Sequence, residues 1–261
     1  MEDISKELRK LSINLSHKCN DGNLQSVFSC LEILWTLYDK IMNWSPELAA
    51  DDDRDFFLIS KGQGTLALFP VLIKKGFFKE EELREIGSFN SKFCIQTDIT
   101  KFHGGVENSA GSLGHGLPMA AGIAMANKIK KSPSRVFVLT GDGEFNEGTM
   151  WEACIFAAGK KLDNLCVIID DNNSVSAMID MGDMKKKLHS FGFDVYEVNG
   201  HNLDELQEVL SKKPKEGCPM AVIAHTVRGY GSKTMMAESI WFHKAPNTHE
   251  LEMLTVEVDN F

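Results

Sequence analysis

Two polar clusters in this chain, thirty positions apart, could hold a cation and a phosphate between them. The first is Gly141-Asp142-Gly143, placed just after the apolar, β-branched run 136–139. The second, Asp170-Asp171-Asn172-Asn173, directly follows the apolar run 165–169. Glycines let backbone N–H groups approach a phosphate closely. Asp142 offers a hard anionic oxygen and Asn172 a neutral amide oxygen. Mg²⁺ suits such a set, because it takes one or two carboxylates and completes its octahedron with phosphate oxygens and water. Ca²⁺ and Mn²⁺ accept the same donors. The alternative is a pair of ordinary turns at two loop ends.

A clamp requires that the clusters converge. Residues 149–161 between them carry a helical pattern, so the stretch 140–176 and the run before it read as one β-α-β unit. Both clusters then sit at carboxyl ends of parallel strands, the edge where open α/β sheets bind ligands. This convergence favours a metal-diphosphate clamp over two unrelated turns.

The other elements follow in order. Apolar residues at 4, 8, 11 and 15 predict an amphipathic helix, and residues 25–42 a second one. Residues 56–60 read as a short buried strand, 65–74 as a helix and 79–86 as a polar-faced helix. Residues 91–107 lack periodicity and read as a long active-site loop. Next, Gly111-Ser112-Leu113-Gly114-His115-Gly116 opens a helix rich in small residues, 117–130. Those glycines either shape a loop around a flat heterocycle or merely start a tightly packed helix. Beyond the central unit come helix 184–191, strand 195–198, helix 203–210, strand 221–225, a long loop 225–246 and a final helix within 249–261. The alternation predicts an α/β domain spanning 1–261, its parallel sheet covered by helices on both faces.

Composition narrows the function classes. A net charge of −9 argues against a nucleic-acid surface. No apolar run approaches a membrane span, and the charged start MEDISKELRK has no signal core, so a cytoplasmic location is expected. Cysteines 19, 30, 94, 154, 166 and 218 form no CxxC pair and read as small apolar residues rather than as a zinc site. Asp51-Asp52-Asp53 reads as a solvated loop.

GDG followed by NN at this spacing resembles the thiamine-diphosphate fingerprint, and GDGEFNEGTMWEA is similar to the amino-terminal half of transketolases, especially those made as two polypeptides. The resemblance implies a thiamine-diphosphate-binding fold of the diphosphate-binding (PP) type. It also implies roles. Asp142, Asn172 and the Ser174 carbonyl would hold the metal, and Gly141, Gly143 and Glu144 would lie at the diphosphate. Gln63, Ser112, Leu113, Gly114 and Gly116 would contact the cofactor, as the family's SLGQG segment does. His115 stands where that segment has Gln. Glu147 and Glu152 fall where transketolases carry carboxylates that couple paired sites; otherwise they are surface glutamates complementing a helix dipole.

The family's activating glutamate comes from a pyrimidine-binding domain, for which this chain has no length to spare. The resemblance therefore implies a C-terminal transketolase-like partner subunit that supplies it, in an α2β2 assembly. Four family histidine segments are rewritten. GHPG is replaced by Gly22-Asn23-Leu24-Gln25, SKGHA by Ser60-Lys61-Gly62-Gln63-Gly64, and GHP by Thr97-Asp98-Ile99. WHGKAP reads Trp241-Phe242-His243-Lys244-Ala245-Pro246, so Phe242 takes the histidine position unless a one-residue slip restores His243 as catalytic. Asn23 and Gln63 can hydrogen-bond but cannot shuttle a proton near neutral pH. His103 and His115 are the candidates to compensate. The expected activity is transfer of a two-carbon ketol unit between unusual small-molecule substrates. The alternatives are decarboxylating acyl transfer from a 2-oxo acid and a non-catalytic cofactor-binding partner.

Overall fold

The structure, a computed structural model, describes residues 2–101, 103–175 and 178–261. Phe102, within the 91–107 loop, and Ser176, which closes the central stretch, lie outside the described residues. Five parallel strands form one sheet in the order β1-β2-β3-β5-β4. They are β1 (Phe56–Ile59), β2 (Val136–Gly141), β3 (Leu165–Asp171), β4 (Asp194–Asn199) and β5 (Met220–His225).

The apolar runs have no polar alternation because both sheet faces are covered. Successive side chains nevertheless serve different cores. Phe137, Leu139, Cys166, Ile168 and Val222 join one cluster, whereas Val136, Val138, Val167, Ile169 and Ile223 join the other. The first cluster lies under α1 (Glu2–Cys19), α2 (Leu24–Thr36), α3 (Thr65–Lys74), α7 (Leu203–Leu210) and α9 (Thr248–Asp259). The second lies under α4 (Gly116–Lys130), α5 (Gly148–Gly159) and α6 (Met184–Ser190). The edge of β1 is blunted by Asn108, whose amide oxygen accepts from the Ile59 N–H (2.9 Å) and whose Nδ2 donates to the Ile59 carbonyl (3.0 Å).

Three expectations are corrected. The second helix ends as α-helix at Thr36 and continues as a π-helical turn, Leu37–Ile41. Residues 79–86 form only a 3-10 turn, Glu80–Glu85. The loop 225–246 holds a short helix α8 (Lys233–Ala237) and a 3-10 turn, Ser239–Phe242. Neither has a run long enough to show a helical period.

Candidate active site

The register between β2 and β3 pairs Gly141 with Asp170, so the two polar clusters leave adjacent strands at the same edge. Asp142 and Asn172 line one cavity of about 410 Å³, with Gln63, Leu113, Gly141, Gly143, Glu144 and Ser174 also on its wall. Asp142 is buried, and burial pushes its carboxyl above the ordinary aspartate range, against hydrogen bonds from Ser174 and Gly143. Ser174 donates to both carboxylate oxygens, through its N–H (2.9 Å) and its hydroxyl (2.8 Å). That pair of bonds fixes the β3 loop against the β2 loop.

Asn172 is also buried, and its two amide atoms differ in their surroundings. Nδ2 lies 3.3 Å from Ser29 Oγ and 3.4 Å from Asp170 Oδ2, which fixes the flip of the amide. Oδ1 is buried with no partner among the described residues. An orphaned buried acceptor beside a buried carboxylate fits a hard cation, which would satisfy both. The set holds too few His, Cys, Asp or Glu side chains to form an all-side-chain metal cage, and among the described residues no such group exists. Amide, carboxylate and carbonyl oxygens completed by phosphate suit Mg²⁺.

Beneath these residues lies a charge network that sequence reading missed. Lys61 forms a buried ion pair with Asp170 and donates to Ser29 Oγ (3.0 Å) and the Ser26 carbonyl (3.1 Å). Burial opposes the Lys61 charge most strongly, but Asp170, with Cys30 and Asp142 adding to it, holds the pKa above the ordinary lysine value. Asp170 also accepts from Thr226 Oγ1 and lies 2.6 Å from Ser29 Oγ. Arg228 is a second cation on the cavity wall, and its Nε is buried without a partner among the described residues. Lys61 and Arg228 thus put two cations on the wall of a site in a chain whose overall charge is −9.

Residues 1–253 match the family described as transketolase, thiamine diphosphate binding domain. The chain belongs to that family. It is 34% identical over 255 residues to one subunit of the apulose-4-phosphate transketolase of Actinobacillus succinogenes, covering 96% of this chain and 92% of that protein. It is 44% identical over 201 residues to ferredoxin fas2 of Rhodococcoides fascians, covering 77% of this chain and 65% of that protein. The solved transketolase from Leishmania mexicana superposes with a TM-score of 0.88 at 22% identity, over 99% of this chain and 41% of that one. The parallel sheet and the transketolase resemblance expected from the sequence are both borne out.

Within this transketolase domain, Glu144 differs from a simple ligand. Its carboxylate accepts from Ser60 Oγ, from the Gly114 N–H (2.7 Å) and from the Gly141 N–H (3.3 Å). Burial raises its pKa despite those bonds. Both oxygens are thus committed to holding three loops together. Gly114 has φ +83° and is pressed against Thr149 and Glu147, so only glycine suits the turn. At Gly116 an added Cβ would lie 2.3 Å from the Ser60 Cβ and 2.7 Å from its Cα. Gly116→Ala should therefore cost roughly 1–3 kcal/mol by overpacking. Thermal unfolding would check this, an unchanged midpoint refuting the contact.

The histidine candidates do not gather. Phe242 lines the cavity, while His243 is exposed and is not among its lining residues. Of the two, Phe242 and not His243 faces the cavity in this chain. His115 is exposed, with Nδ1 3.0 Å from the Leu113 carbonyl oxygen; it shares a smaller hollow with Ser112 and Gly116. His103 lines another hollow, with Trp44, Arg54 and Glu107. Asn23 precedes α2, its Oδ1 buried without a partner among the described residues, and is not on the cavity wall. Glu147 and Glu152 are exposed on and before α5.

Proposed function

We propose that this chain is the diphosphate- and metal-binding half of a thiamine-diphosphate-dependent transferase that moves a two-carbon ketol unit between sugar-type substrates. The observation that carries this is the orphaned Asn172 Oδ1 beside buried Asp142 in one cavity with two cations on its wall. When bound, thiamine diphosphate supplies a nucleophilic thiazolium carbon that then serves as an electron sink. Asp142, Asn172 and the Ser174 carbonyl hold Mg²⁺. Gly141 and Gly143, without side chains, leave the wall open for the diphosphate to approach the backbone, and Lys61 and Arg228 supply its two cations. Gln63 and Leu113 shape the remaining wall, with Glu144 and Ser60 fixing Gly114 and Gly116 just after Leu113. Ser112 and His115 line a separate hollow with Gly116.

The site is completed by a second polypeptide that brings the activating glutamate, in a cytoplasmic α2β2 assembly where Glu147 and Glu152 become buried and couple paired sites. Two features support a partner. The relative from Actinobacillus succinogenes is named as one subunit of its enzyme, and this chain spans 92% of it. Apolar side chains also stand exposed at the cavity: Met178 on its wall (84%), and Ile240 (58%) between the lining residues Ser239 and Phe242. An apolar partner face would cover them. That relative's name specifies apulose-4-phosphate, an uncommon sugar phosphate. A comparably uncommon substrate fits a wall that presents Phe242 and, among the described residues, no histidine.

Mixing the chain with a pyrimidine-domain polypeptide, a ketose phosphate and an aldose phosphate tests the reading. Two-carbon transfer without carbon dioxide is expected. Carbon dioxide release from pyruvate would instead establish decarboxylating transfer.

A further inference from the structure

Helix α2 is buried along nearly its whole length, yet one of its inner lines is polar. Gln25, Ser29 and Glu32 lie at i, i+4 and i+7, and none is more than 3% exposed. Ser29 serves Lys61 and Asn172. Glu32 serves Arg9 and His201 (2.7 and 3.1 Å), and His201 Nε2 in turn accepts from the Val227 N–H (2.9 Å).

Gln25 has no counterpart in the resembled GHPG turn, where glycine stands at its position. Here it makes four hydrogen bonds to a single segment. Nε2 donates to the carbonyls of Met235 (2.6 Å) and Glu238 (2.9 Å). Oε1 accepts from Arg228 Nη2 (3.0 Å), and the Gln25 carbonyl accepts from the Gly229 N–H (3.0 Å). The tethered segment runs straight into Ser239 and Phe242, and these two and Arg228 all face the cavity. The Arg228 guanidinium lies over the Phe242 ring at 5.4 Å. Gln25 itself is not on the wall, so it acts through what it holds.

We propose that Gln25 is a positioning residue that fixes Arg228 and, through residues 235–238, Phe242, so that cation and ring meet the anionic contents of the cavity as one unit. Three features point to this. The tie is directional, since an amide alone can donate to two carbonyls and accept from a guanidinium at once. It is buried, where such bonds are strong and costly to break. Arg228 Nε is not used by the tie and has no partner among the described residues. The proposal rests on the diphosphate reading above and assigns a residue that replaces a family glycine.

The test uses the full chain and inorganic pyrophosphate with Mg²⁺, followed by calorimetry. Gln25→Met keeps the volume and removes the amide. It should weaken pyrophosphate binding about tenfold. Arg228→Met should weaken it at least as much, and the double variant no further, because both changes remove one interaction. Gln25→Asn keeps the amide but shortens its reach; it should match Gln25→Met and remains informative if that variant fails to fold. Wild-type affinity in Gln25→Asn, or additive losses in the double variant, would overturn the role of Gln25 while leaving the diphosphate site standing. No Asp142-dependent binding by the wild-type chain would overturn both.

Discussion

Asp142→Asn should lose magnesium-pyrophosphate affinity on the order of a thousandfold while the cation-free chain keeps its fold. Removing one partner from a desolvated charge pair costs roughly 3–5 kcal/mol, and about 4.1 kcal/mol is a thousandfold in Kd. The fold survives for a reason visible in the shift of this group. Burial raises the Asp142 pKa, so the folded chain binds the proton more tightly than the unfolded chain does. The charged carboxylate therefore opposes folding as pH rises from the ordinary aspartate value through the raised one. Cation binding requires the same proton to leave, so wild-type affinity should fall as pH drops through the raised value. Asn removes both dependences. Calorimetry across pH, with thermal unfolding of the cation-free chain, reads the two effects separately. A pH-independent wild type, or tight binding by the variant, would remove Asp142 from the metal site.

The largest effect on stability should come from Lys61→Met. It leaves Asp170, 0% exposed, without its cation at the centre of the network. Breaking a buried pair from one side costs roughly 3–5 kcal/mol, which for a chain of this size lowers Tm by about 10 °C. Lys61→Met with Asp170→Asn should be less damaged than Lys61→Met alone, since no uncompensated charge remains. The raised Lys61 pKa sets an alkaline signature. The stabilisation is complete below the ordinary lysine value and is lost as pH rises through the raised one. Equal unfolding midpoints for wild type and Lys61→Met would show that the pair contributes nothing.

Much of this architecture is legible in the residue order because it is local or periodic. Runs 136–139 and 165–169 flank one helix, and that arrangement alone places Asp142 and Asn172 at a common edge. What escaped reading is long-range. Lys61 and Asp170 are 109 residues apart, and nothing in either neighbourhood marks a partner. Asp170 looked like one of four equivalent polar residues after the apolar run 165–169, yet it points beneath the site while Asn172 faces it. Arg228 sat in a segment read as loop, and its role depends on Gln25, 203 positions earlier. The histidine candidates failed differently. His103 and His115 share the neighbourhood of motif residues along the chain, but chain proximity does not fix the hollow a side chain enters. His243 and Phe242 are adjacent, and only backbone direction decides which of them turns inward.

The polar line along α2 has a consequence for how this chain can change. One rigid rod serves as a common gauge for four separate loops, so sliding or rolling it would detune all of them together. Substitutions at exposed loop positions can be absorbed one at a time. Along that hidden side of the rod they cannot, and altered specificity there would require coordinated replacement of the rod residue and the loop it measures.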